Sequence, residues 1–175
     1  MTDSSEKFTS SLPSTMNRAD FVARFGGVYE HSPWIAEAVF DAGLTPAEDS
    51  AAGLSAAMMG VLKRAGDDKK LALIRAHPDL AGKAALAGEL TDESASEQAG
   101  AALDQCTPKE FAAFRELNAA YGEKFGFPFI IAVKGKTRHD ILDAFRGRLK
   151  NDAELELETA LAQINKIARF RLDAL

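Results

Sequence analysis

The sequence predicts an all-α fold: a single compact domain of about eight helices, with one extended segment near residues 127–134. Three observations carry that prediction. Apolar residues recur at helical spacing along most of the chain. The helix-start signature Thr-Pro-x-Glu occurs twice, as "TPAE" at 45–48 and "TPKE" at 107–110. Only one stretch, "FGFPFIIAVKG" at 125–135, contains the continuous apolar run of a buried strand.

Taken in order, residues 1–16 read as a flexible N-terminal lead and residues 17–175 as the all-helical domain. Phe21, Phe25 and Val28 share helical spacing, and Gly26-Gly27 weakens that helix. In "EHSPWIAEAVF", Ser32 is a candidate N-cap with Pro33 at the first helical position. Thr45, Pro46 and Glu48 form a capping box, and Thr107 with Glu110 repeats it ahead of Phe111, Phe114, Leu117 and Tyr121. A helix beginning near Lys69 carries Leu71, Leu73 and Ile74, and should end at Ala76 or His77 because Pro78 disfavours helix in the residue before it. Thr91 caps a helix running through Ser94 to Leu103. Thr137 opens one bearing Ile141, Leu142, Phe145 and Leu149. The last runs from about Asp152 to the end and carries Leu157, Leu161, Ile164 and Ala168. The apolar run at 129–133 has no second strand to pair with, so its backbone N–H groups stay unpaired unless something accepts from them.

Composition narrows the function classes. With 46% hydrophobic and 27% charged residues, 175 residues can bury a core without disulfides or structural metals. A net charge of −5, with Lys and Arg scattered, argues against nucleic-acid binding. Cys106 is the sole cysteine, which excludes an internal disulfide, fits a reducing, cytoplasmic setting and reads as a small buried thiol. No apolar run approaches the ~20 residues that span a membrane, and "MTDSSEKFTSSLPST" lacks the apolar core of a signal peptide.

Three places could carry chemistry. His77, at a helix end and before a rigid proline, is either a C-terminal complement to the helix dipole or a positioned proton carrier. Ser94, Glu97 and Gln98 stand at i, i+3 and i+4, with Ala95, Ala99, Ala102 and Leu103 opposite for packing. That face is either solvated or a grip for a ligand rich in hydrogen-bonding groups. Arg171 falls on the apolar stripe of the last helix, unlike Arg169, and an inward arginine needs an anionic partner: Glu97, Asp79 or a ligand carboxylate. The histidines at 31, 77 and 139 show no metal-ligand spacing; His31 reads as a helix-entry residue and His139 as a first-turn surface residue. No phosphate loop and no G-x-S-x-G nucleophile motif occurs.

Together, "AHPDLAGK", "ESASEQAGAALD" and "FGFPFIIAVKG" resemble the signature segments of the 2-oxo-4-hydroxy-4-carboxy-5-ureidoimidazoline (OHCU) decarboxylases, and the similarity runs from about Phe21 through "EHSPWIAEA" to "IARFRLDAL". The resemblance implies an all-helical homodimer without cofactor or metal that decarboxylates this ureidoimidazoline to (S)-allantoin, the last step from urate. Urate oxidase and hydroxyisourate hydrolase would be its functional neighbours. It implies His77 as proton donor and Glu97 as a second catalytic group. Pro78, Ser94, Ala95, Ser96, Glu97, Gln98, Phe129, Ile130, Ile131, Ala132, Val133 and Arg171 would form the substrate contacts. A helical module that binds a ureide without turnover, a purely structural interaction domain, and an enzyme for a related unstable ureide are the rival readings.

Overall fold

The computed structural model describes residues 6–82 and 88–175. Lys83, the last residue of the "AHPDLAGK" motif, lies outside the described residues, as do residues 1–5 of the lead. Among the described residues there are eight α-helices: α1 Arg18–Phe25, α2 Trp34–Asp41, α3 Ala51–Arg64, α4 Asp67–Ala76, α5 Asp92–Gly100, α6 Pro108–Phe125, α7 Arg138–Arg148 and α8 Ala153–Asp173. There are also three short 3-10 turns, one ahead of α1 and two between helices, and the only β-type pairing among these residues is one isolated bridge, Lys7 with Ser50. The all-α class is therefore borne out. No helix among the described residues is long and apolar enough to cross a membrane.

Chain contacts divide the protein into two compact units, Met1–Ala76 with Asn165–Leu175, and His77–Ile164. The boundary falls at the end of α4 and within α8.

In the first unit, Phe21 and Phe25 of α1 are fully buried, and Phe8, Phe21, Phe25 and Phe40 form a chain of ring contacts with centroids 5.0–5.5 Å apart. The stretch read from sequence as a flexible lead makes several of the contacts here. Phe8 is buried and its N–H donates to the Asp49 carbonyl at 2.9 Å, while the Ser14 N–H and hydroxyl donate to the two oxygens of the buried Asp49 carboxylate at 2.9 Å each. Ser32 does not cap α2. Its hydroxyl turns back to donate to the Glu30 carbonyl at 2.9 Å, and Pro33 occupies the cap position. Thr45 and Glu48 do form the capping box, but it opens only a 3-10 turn, Pro46–Asp49. Ser50 then caps α3 by accepting from the Gly53 N–H at 3.1 Å.

In the second unit, Thr107 and Glu110 close the predicted capping box on α6, and Thr137 and Asp140 close one on α7. Replacing Thr107 with alanine frees a helix N–H and should cost about 1 kcal/mol of stability in denaturant unfolding. α6 stops at Gly126, whose φ of +73° is the left-handed cap that favours glycine. Its buried residues Phe114 and Tyr121 face inward, and Tyr121 meets Phe125, Phe127, Phe129 and Phe145 at 4.5–5.9 Å between centroids. The 127–133 stretch is neither helix nor ladder, as expected, and Phe129–Val133 are all buried.

Two helices pack on faces other than those the sequence suggested. On α5, Ala95 and Ala99 are exposed while Ser94 and Gln98 are buried, and the helix ends at Gly100 rather than reaching Leu103. On α8, Leu157 and Leu161 are only half-buried, and the buried row is Glu156, Ala160, Ile164, Ala168 and Leu172, spaced at i+4, with Ile167 and Arg171 beside it. Cys106 is half-buried, and partial burial together with the charge of Glu110 pushes its thiol above the ordinary range.

Candidate active site

The second unit begins at the histidine. α4 ends at Ala76, as the following proline requires, and His77 is buried, 8% exposed, with a partner of its own. The residues after Pro78 make a tight loop. Ala81 sits at φ +48°, a left-handed conformation that costs alanine about 1 kcal/mol. At Gly82 any Cβ would come within 2.7 Å of the Asp79 side chain, so this close approach needs glycine.

That loop is held from two helices. Gln98 of α5 accepts from the Ala81 N–H at 3.1 Å and donates to the Asp79 carbonyl at 3.4 Å, so one amide spans the loop. Asn118 of α6 donates to the Leu80 carbonyl at 3.0 Å. Partial burial raises the Asp79 carboxyl above the usual carboxylate range.

α5 presents the polar side of its first turns to the protein. Thr91 caps it by accepting from the Ser94 N–H at 3.2 Å. Ser94 is 4% and Gln98 6% exposed, Glu97 is half-buried, and Ala95 and Ser96 face outward. A helix that exposes alanine and buries serine and glutamine runs against the cost of burying polar groups, unless those groups have partners. Gln98 has found its partners in the loop behind His77. Ser94 and Glu97 are also engaged.

The apolar segment is the other component in this unit. Phe129 and Ala132 are 1% exposed, Ile130 3%, Ile131 7% and Val133 8%. Its backbone is partly paired, through side chains. The Ala132 N–H donates to Oε1 of Gln163 at 2.9 Å, and the Ile130 carbonyl accepts from Arg148 at 2.5 Å. The N–H groups of Ile131 and Val133 donate to no protein acceptor among the described residues.

Arg171 belongs to the first unit. It is inward-facing as predicted, 9% exposed, but its partner is none of those anticipated. Nη1 lies 2.9 Å from Oε2 of Glu30, which is 2% exposed, and 3.4 Å from the Val28 carbonyl. Arg169 pairs instead with Asp173 at 2.8 Å on the outer side of the helix. His139 is exposed near Glu110, and His31 is exposed at φ +46°. Among the described residues no group of three His, Cys, Asp or Glu side chains is arranged to hold a metal ion.

Sequence reasoning missed Glu30, Arg148, Glu156 and Gln163. Glu30 and Arg148 act over long range and leave no local signal. Glu156 left one, since it stands at i−4 from Ala160 on the row that proves buried.

Comparison with known proteins shows which family the chain resembles along its length. The family model described as OHCU decarboxylase matches residues 14–173. A protein of Halalkalicoccus jeotgali named 2-oxo-4-hydroxy-4-carboxy-5-ureidoimidazoline decarboxylase is 41% identical over 163 residues, covering 91% of this chain and 89% of that one. The "Uric acid degradation bifunctional protein PucL" of Bacillus subtilis is 40% identical over 94% of this chain, which spans 32% of that longer protein. A crystal structure of (S)-allantoin synthase superposes with a TM-score of 0.72 at 35% identity, over 93% of this chain and 52% of that chain. On the family match across nearly the whole chain and on these identities, the chain belongs to the OHCU decarboxylase family.

Proposed function

We propose that this chain decarboxylates 2-oxo-4-hydroxy-4-carboxy-5-ureidoimidazoline to (S)-allantoin, with His77 delivering the proton that sets the product's handedness. Family membership supports the reaction. The structural observation that carries the proposal is the buried polar side of α5, whose Gln98 holds the loop that follows His77 and Pro78.

The chemistry needs an electron sink, and this substrate contains one. When the bond to the carboxylate breaks, its electron pair forms a C=C bond to the neighbouring ring carbon. The C=N pair moves onto nitrogen, which takes up a proton. Carbon dioxide leaves a hydroxy-enamine. A proton added to the neighbouring carbon, with loss of the hydroxyl proton, gives the carbonyl of allantoin. That carbon becomes the stereocentre, so the proton must arrive from one side only. A histidine fixed at a helix end and backed by proline suits that task, because an imidazole both holds and gives up a proton near neutral pH.

The remaining assignments follow from hydrogen-bonding capacity. Glu97 accepts from ureido or ring N–H groups and orients His77. Ser94 and the unused valences of Gln98 add hydrogen bonds, and Pro78, Ala95 and Ser96 complete that side. The N–H groups of Ile131 and Val133, within the Phe129–Val133 wall, donate to substrate oxygens. Arg171 is assigned to a substrate carboxylate on the resemblance, with Glu30 already balancing its charge. Cytoplasmic homodimers belong to the same proposal, and light scattering would report the assembly. The bifunctional relative named for uric acid degradation fits the same setting, with urate oxidase and hydroxyisourate hydrolase as functional neighbours.

The test is kinetic. Substrate made freshly from urate with urate oxidase and hydroxyisourate hydrolase decays on its own. Adding this protein at catalytic concentration should speed the loss of its ultraviolet absorbance many-fold. Decay at the spontaneous rate, with the ligand bound but unchanged, would favour a ureide-binding module instead.

A further inference from the structure

Among the described residues no strand pairs with the wall at 129–133, yet one of its edges is firmly held. Gln163 of α8 accepts from the Ala132 N–H at 2.9 Å, and Arg148 at the end of α7 donates to the Ile130 carbonyl while its guanidinium lies 4.4 Å from the centre of the Phe129 ring. Arg148 is itself fixed. Its Nε donates to Oε1 of Glu156 at 2.7 Å, and that fully buried carboxylate also accepts from the Tyr121 hydroxyl at 2.5 Å and from the Asn151 amide at 3.0 Å. Burial first, and then the hydrogen bond to Glu156, push the Tyr121 phenol far above its ordinary range, so it remains a donor at any working pH.

In an extended chain, residues i and i+2 turn their N–H and C=O groups to the same edge and residue i+1 turns its groups to the other. Ile130 and Ala132 therefore share the edge held by α7 and α8. Ile131 and Val133 present their N–H groups along the opposite edge, where no protein acceptor among the described residues meets them. A lone extended segment without such anchoring would be free to twist about its axis and rotate those donors away.

We infer that Gln163 and Arg148 are positioning residues for the reaction: by fixing the Ile130 and Ala132 edge they aim the Ile131 and Val133 N–H groups at an oxygen acceptor of the substrate. Glu156 serves by holding Arg148. This rests on the proposed decarboxylation, because that reading supplies the ligand oxygen. Gln163 is the better probe, since it is only half-buried and reaches the wall through a single acceptor atom.

The experiment compares Gln163→Met, which keeps the length but removes the acceptor, with Gln163→Glu, which restores one. Gln163→Met should raise KM about fivefold, the worth of one misdirected hydrogen bond, with kcat within about twofold of wild type. Gln163→Glu should return KM towards wild type. Amide hydrogen exchange should quicken at residues 129–133 in Gln163→Met and stay unchanged elsewhere. Wild-type KM and protection in Gln163→Met would overturn the inference, as would equal impairment of both variants with a general loss of protection. If the wild-type protein itself fails to speed decarboxylation, the functional reading falls separately. Exchange at 129–133 and titration with (S)-allantoin then decide the inference: unchanged protection and unchanged affinity in Gln163→Met would overturn it.

Discussion

Replacing His77 with asparagine should lower kcat by about 10²–10⁴-fold, the usual worth of a positioned general acid, and leave (S)-allantoin affinity within a few-fold of wild type. Asparagine keeps a hydrogen-bonding side chain of similar reach, so the end of α4 and the loop behind Pro78 should survive. Their anchors, Gln98 and Asn118, are untouched by the change. The variant can no longer deliver a proton near neutral pH. Residual turnover should therefore draw its proton from water on either face, and the allantoin formed should lose enantiomeric purity along with rate. Steady-state kinetics with chiral analysis of the product reads both. A kcat equal to wild type would remove His77 from the chemistry and return it to the role of a helix-end residue complementing the dipole.

The second large effect concerns stability. Arg171→Met should lower the unfolding free energy by about 3–5 kcal/mol, because it leaves the Glu30 carboxylate buried without its countercharge. Glu30 is 2% exposed and only 2.9 Å from the guanidinium. Pairing that change with Glu30→Gln should recover most of the loss, since a neutral amide needs no countercharge. Urea denaturation of the single and double variants is the check, and a single variant as stable as wild type would refute the pair. The stabilised double variant also isolates Arg171's assigned role. A raised KM in a well-folded Glu30→Gln/Arg171→Met protein would support substrate contact, whereas wild-type kinetics would leave Arg171 purely structural.

Much of the fold was legible because its signals are local. The Thr107-Glu110 capping box, the helix start at Thr137, the stop before Pro78 and the apolar run at 129–133 each depend on residues within a few positions of one another. Position of a polar residue proved harder to interpret than its presence. Ser94, Glu97 and Gln98 were seen to share a face, but small alanines on the opposite side looked like the packing surface. The structure buries the polar side instead, because the backbone of Asp79 and Ala81 supplies the hydrogen bonds that make burial of Gln98 affordable. Similarly, the stripe containing Arg171 was legible from helical spacing, but its partner was not. Glu30 is 141 positions away, beyond the reach of any periodicity. The anchors of the wall, Arg148 and Gln163, were hidden for the same reason.

Because the substrate also decays on its own, the handedness of the product separates catalysis from spontaneous decay. The most direct measurement is the circular dichroism of allantoin formed in a single turnover, with enzyme in excess over freshly generated substrate. The full (S)-allantoin signal per mole of substrate consumed should appear as fast as the substrate disappears. A racemic product, or a signal that grows only at the spontaneous rate, would contradict that expectation.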